Sequence, residues 1–179
     1  MNSKRKIRLI NWLLFLILFY LITVHTNHLI EQMGFFSWTN IQPLWRFIDK
    51  KSFIFLIYIF QMILALLGII FQSICISLLA NLITKEKIKL RISILFALVG
   101  CSINLLINIE VFSFFRFLNL KQMIIVGTFP ISCLIAGFCA TVYLQKKLDQ
   151  KIKIIWFNLS FFMLNIILYL LNIGKNLIN

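Results

Sequence analysis

The chain has 179 residues, 61% hydrophobic and 13% charged, with nineteen phenylalanines and a mean hydropathy of +0.98. These values lie far outside the soluble average of about 45–50% apolar and 25% charged residues, which excludes a water-soluble globular chain and leaves length for one small helical bundle. The net charge of +13 sits in short clusters between apolar runs, so the expected partners are the bilayer with its anionic lipids and other membrane subunits, and no nucleic acid.

Taken in chain order, the first apolar run covers 7–24 and follows Lys4-Arg5-Lys6. It has the charged and apolar regions of a signal peptide, but His25-Thr26-Asn27-His28 follows where a small-x-small cleavage site would stand. The expected role is an uncleaved signal anchor. Residues 25–52 form an external loop, in which Phe35-Phe36-Ser37-Trp38 and Leu44-Trp45-Arg46-Phe47 read as short amphipathic pieces on the outer leaflet. His25 and His28 are weak metal candidates: with Glu31 they have the right ligand types, but a polar interfacial cap is the plainer reading, and no metal or cofactor is expected.

Residues 53–84 contain no charge. As one helix they would reach roughly 48 Å, against a hydrocarbon core of about 30 Å. The excess implies tilt, a kink near Gly68, or last turns that project into the cytoplasm. Further apolar runs at 92–109, 122–145 and 154–173 complete five spans. Each must satisfy its own backbone hydrogen bonds in lipid, so the expected fold is all-α: a single transmembrane domain over 1–179, a polytopic bundle of five transmembrane helices.

Lysine and arginine set the orientation. Twelve fall at the N-terminus and in the turns 85–91 and 146–153, and six fall on the other side. The first side is therefore cytoplasmic, with the N-terminus inside and the C-terminus outside. Splitting 53–84 near Gly68 into two spans would leave seven cations inside against eleven outside, contrary to the rule. Trp12 and Trp156, each just after a basic cluster, fit a cytoplasmic aromatic belt. The expected location is the cell membrane, multi-pass, of bacterial cytoplasmic type.

Apart from Arg8 at the start of the first, no charged residue lies inside these spans. The polar residues there fall in rows. Asn158, Asn165 and Asn172 recur every seven residues; Gly100, Asn104 and Asn108 recur every four; Ser73, Ser77 and Asn81 do the same. An unpaired amide in hydrocarbon is costly, so these rows should face other helices, as packing hydrogen bonds or as the lining of a cavity. The fourth span carries two rows of small residues: Ser132, Ala136 and Ala140, and Cys133, Gly137 and Thr141. They form a smooth face that admits a close neighbour. Pro130, near Gly127, marks an expected bend. The four cysteines, Cys75, Cys101, Cys133 and Cys139, all lie in apolar runs and read as inert packing residues.

Enzyme signatures are missing: no Gly-x-Ser-x-Gly, His-Glu-x-x-His, Gly-x-Gly-x-x-Gly or phosphate-binding Gly-Lys-Ser/Thr occurs. The chain is expected not to be an enzyme. An isolated first span, an external loop, paired spans joined by Thr84-Lys85-Glu86-Lys87, a fourth span with a proline near its start (Phe129-Pro130), the basic turn Lys146-Lys147 and a last span resemble the Yip (Ypt-interacting protein) family of five-span membrane proteins, bacterial members included. The family's glycine pair in the second cytoplasmic turn is replaced here by Lys85-Glu86-Lys87. The resemblance implies a membrane-organising or trafficking-type protein, in bacteria an accessory or self-protection component of peptide export. The expected function is a non-catalytic accessory subunit of a membrane assembly of peptide-export or bacteriocin-immunity type. The alternative is a transporter or substrate-binding subunit with an asparagine-lined cavity.

Overall fold

A computed structural model describes residues 3–32, 49–114, 129–148 and 150–178. Among them the chain forms helices and no strand: α1 (Ser3–Gln32), α2 (Lys50–Leu79, continued by a π-helical turn Ala80–Thr84), α3 (Leu90–Phe114), α4 (Ile131–Gln145) and α5 (Lys151–Ile178). Four are long and apolar enough to cross a membrane, over Arg5–His28, Lys51–Thr84, Leu90–Val111 and Lys151–Leu171. α4 is an apolar helix of 15 residues, about 22 Å long and so shorter than the roughly 30 Å hydrocarbon core. The first part of the expected fourth span, 122–128, lies outside the described residues, as do the aromatic pieces at 35–38 and 44–47. Pro130 stands at the N-cap of α4 with φ −78°. Its ring leaves the amide-free position outside the helix, and its carbonyl accepts from Leu134 N at 3.1 Å.

The helix ends have local causes. Asp49 caps α2, its carboxylate accepting from Ser52 N at 3.4 Å, which satisfies one of the amides left open in the first turn. A hydrogen bond from the Ser52 side chain, with help from the backbone amides of the first turn, holds the Asp49 carboxyl below its ordinary range. At the other end, α2 widens into the π turn and the chain reverses through Lys85, at φ 58°, whose N–H bonds the Asn81 carbonyl at 3.1 Å. The left-handed position that glycine usually takes at a helix end is filled here by a lysine. Thr84 Oγ1 donates to the Ala80 carbonyl at 2.6 Å and accepts from Glu86 N at 3.3 Å, closing the turn.

Ser77 Oγ donates to the Ile88 carbonyl at 3.1 Å. The segment after the turn therefore runs back along the end of α2. The helix overshoots the start of α3 by about two turns, or roughly 10 Å. Through Gly68 the helix is unbroken, so the long apolar run is not divided there. α1 also runs past its expected end, so His25 and His28 lie on a helix and not in a loop. Leu29 and Ile30 extend the apolar pattern there.

α3 is the central helix, packed against α1, α2 and α4, and α5 covers α4 and the end of α2. One core joins Leu18 and Ile22 of α1 to Ile69 of α2 and Ala97 and Leu98 of α3. The other joins Ile76, Ala80, Ile88 and Phe96 to Ala136, Ala140 and Leu144 of α4 and to Ile154, Phe157 and Phe161 of α5. The outside of the bundle is apolar: Phe55, Phe60, Leu67, Leu82, Phe138 and Leu171 are all exposed. Only 6% of the apolar stretch of α2 is buried. Exposed apolar surface of this extent suits hydrocarbon, not water, and marks a membrane-type protein.

Contacts between helix ends show which loops share an end of the bundle. Asn11 Nδ2 donates to the Arg91 carbonyl at 3.2 Å, joining the starts of α1 and α3. The end of α2 packs on α5, and Leu144 and Ile154 share the core with Ala80 and Ile88. At the far end, Tyr58 donates to Asn27, Ser113 Oγ lies 3.2 Å from His28 Nε2, and Phe129 meets Tyr169 edge-on at 5.3 Å. The three basic clusters thus gather at one end.

Candidate functional site

The polar and small residues concentrate where α3, α4 and α5 meet. A side chain on Gly100 would put its Cβ 2.2 Å from the Ser132 carbonyl oxygen and 3.3 Å from Ala136 Cβ. The α3 and α4 backbones therefore touch along the Ser132–Ala136–Ala140 row, where Ala136 and Ala140 are fully buried. On the adjoining side of α4, a Cβ on Gly137 would lie 2.7 Å from Phe161 Cδ1 of α5. Phe161 stacks in turn on Phe157, with centroids 6.1 Å apart. α4 is held between two neighbours because its two small rows admit one on each side. Between helices in lipid this is van der Waals packing, since hydrocarbon supplies no hydrophobic drive for one helix to leave it for another.

Hydroxyl and amide groups join the same contacts. Thr141 Oγ1 is in hydrogen-bond contact with Asn158 Oδ1, and lies 2.8 Å from the Gly137 carbonyl. One hydroxyl proton cannot serve both acceptors. With the Asn158 amide turned so that its Nδ2 faces Thr141, both contacts are satisfied together. Asn165 is buried, and its Nδ2 donates to the Phe161 carbonyl at 2.7 Å. Asn158 and Asn165 line a cavity of about 470 Å³ with Cys133, Gly137 and Phe162. Its rim residues Phe138, Ile155 and Leu159 are exposed, so it opens sideways through the outer surface of the bundle.

The other asparagines go elsewhere. Asn104 and Asn108 are on α3, and the Oδ1 atoms of both are buried with no hydrogen-bond partner among the described residues. Neither lines the α4–α5 cavity. Asn81 is exposed at the end of α2, while Ser73, in the same row, is buried and donates to the Ile69 carbonyl at 2.6 Å. Row spacing placed all three on one face, but the π turn widens the helix after Leu79 and carries Asn81 off it. The Asn172 side chain falls outside the described residues.

Two interhelical bonds lie outside these rows. Gln72 Nε2 of α2 donates to Ser132 Oγ of α4 at 3.0 Å, and the Asn11–Arg91 bond ties α1 to α3. The available signal was an amide alone in an apolar run, without a repeat. His28 meets Ser113, and no group of three or more His, Cys, Asp or Glu that could hold a metal occurs among the described residues. The four cysteines are free thiols.

The chain matches no family model, no curated protein and no solved structure. Whatever is inferred about its role stands on the residues themselves. The α3–α4–α5 junction can hold helices together, and its cavity can take a small apolar molecule with an amide-bonding group. The lining of the cavity includes the Cys133 thiol but no His, Asp or Glu to act as its base.

Proposed function

We propose that this chain is a non-catalytic integral membrane protein, an accessory subunit of a bacterial membrane assembly of the peptide-export or bacteriocin-immunity type. One observation carries the reading: two polar pairs at membrane depth join helices, Gln72 bonding Ser132 and Thr141 bonding Asn158. Asn104 and Asn108 of α3 do not line the cavity that holds Asn158 and Asn165 of α5. A transporter acting alone would need a polar path across the bilayer. The Yip-like layout belongs to the same reading and favours a membrane-organising role.

The proposed topology is five spans, N-terminus in the cytoplasm and C-terminus outside, in the cytoplasmic membrane. It is supported by twelve of the eighteen cations falling in three clusters that lie at one end of the bundle, with Trp12 and Trp156 exposed near them. Affinity purification of the tagged chain in mild detergent tests the function. The expected result is one membrane protein recovered in fixed proportion; the lone polypeptide under every condition would contradict it.

A second reading rests on the 470 Å³ cavity with Asn158 and Asn165 in its wall: a substrate-binding membrane subunit. Replacing Asn158 and Asn165 with Leu should then abolish activity while the protein still folds, and unchanged activity removes this reading.

A further inference from the structure

At the basic end, a separate cavity of about 390 Å³ lies between α1, α2 and α3. Its composition is graded. Arg8 of α1 and Arg91 of α3 line it together with Trp12, Phe15, Ile70 and Leu98. The Asn11–Arg91 bond pins the two helices beside the arginines, so both cations are held next to one opening. From Arg91 to Leu98 the wall runs about 10 Å along α3, and the lining changes from guanidinium to hydrocarbon.

The chain does not neutralise this spot from its own first turns. Neither α1 nor α3 has an acidic residue there, although a helix N-terminus favours negative charge. Two arginines at helix starts therefore add to the positive dipole ends. A free phosphate would leave the apolar trough unfilled, and a neutral lipid would leave the arginines unpaired. An anionic headgroup on a hydrocarbon tail matches both ends of the groove, and the volume lies within the range of small-molecule sites.

We propose that this groove binds one anionic phospholipid from the leaflet that borders the basic loops. Its phosphate sits between Arg8 and Arg91, and an acyl chain lies against Trp12, Phe15, Ile70 and Leu98. The bound lipid closes the side of the bundle between α1 and α2, which pack on each other less than either packs on α3. The proposal rests on the membrane-spanning reading with the basic end at headgroup level, and on no partner protein.

The test uses the purified full-length chain, extracted from nanodiscs of equal parts phosphatidylglycerol and phosphatidylcholine, with retained lipid read by native mass spectrometry. The wild type should keep one phosphatidylglycerol. Arg8→Gln with Arg91→Gln should lower that retention roughly thirtyfold, at about 1 kcal/mol for each cation near the surface. Lys147→Gln with Lys151→Gln removes two charges from the same end but outside the groove and should leave retention unchanged. Ile70→Trp fills the trough while keeping both arginines, and should also displace the lipid; it guards against arginine loss acting through misinsertion. Equal retention of both lipids by the wild type, equal loss in the two charge pairs, or lipid kept by Ile70→Trp would each overturn the proposal. Because no partner is present, a failed co-purification leaves this result intact, and failure here leaves the accessory role intact.

Discussion

Gly100 and Ser132 stand so close that one added methyl on the glycine would meet the serine carbonyl oxygen at 2.2 Å. The obstacle is backbone, which cannot rotate away as a side chain can, so α3 and α4 must separate. Gly100→Ala should destabilise the protein in detergent by about 1–3 kcal/mol, as overpacking does elsewhere. Gly68 has nothing within 4 Å of the same added atom, and Gly68→Ala should stay within about 0.5 kcal/mol of wild type. Thermal melts of the two variants side by side check the contrast; equal melts would mean that α3 and α4 do not pack through Gly100.

Gly137 meets a movable neighbour, the Phe161 ring, at 2.7 Å. Gly137→Ala should therefore cost less than Gly100→Ala, and pairing it with Phe161→Leu should recover part of the loss. A double-mutant cycle should give a coupling of about 0.5–3 kcal/mol. Additive losses would place α5 elsewhere.

The Thr141–Asn158 contact is measured the same way. Thr141→Val and Asn158→Leu should each destabilise by about 0.6–2 kcal/mol, and the double variant should lose less than the sum. This variant also separates the two functional readings. If the pair only joins helices, activity follows folded protein; if it lines a substrate site, activity falls while the melt is preserved by a compensating apolar pair.

Much of this architecture was legible in the sequence, and the reason differs by element. The charge-free run ending at Thr84 needs no partner to be read as a helix, because lipid leaves a backbone no other choice. The rows at Ser132 and Gly137 show by spacing alone that something approaches closely. What approaches, Gly100 on one side and Phe161 on the other, is set by pairing between distant segments, which periodicity does not encode. Gln72 was passed over because a single amide makes no row. The basic turn at Lys85 was legible, but its left-handed backbone was not: it follows the π turn before it, and a lysine gives no local sign of that.

Lys85 itself offers a gain. A non-glycine residue in the left-handed region costs roughly 1–2 kcal/mol, and at φ 58° glycine removes that strain. Lys85→Gly should raise stability by about 1 kcal/mol after the extra freedom of the unfolded chain is counted. A lower melting temperature would show that the lysine is anchored by contacts stronger than the strain.

Asp49 gives the cap of α2 a pH dependence. Its folded carboxyl is held below the ordinary value of 3.8, first by the hydrogen bond of the Ser52 side chain. A lowered folded value means that the contribution is present above pH 3.8 and is lost as the pH falls through the folded value. The wild type should thus lose a small increment of stability in that acidic window that Asp49→Ala lacks. Parallel acid titrations followed by circular dichroism check this; identical curves would remove the cap.

Impermeant thiol labelling of intact cells, in a background with the four native cysteines replaced by alanine, tests the topology directly. Cysteines introduced one at a time at Asn2, Asp49 and Asn179 report three positions along the chain. The expected pattern is labelling of Asp49→Cys and Asn179→Cys in intact cells, with Asn2→Cys labelled only after permeabilisation. Labelling of Asn2→Cys and Asn179→Cys under the same condition would contradict an odd number of crossings.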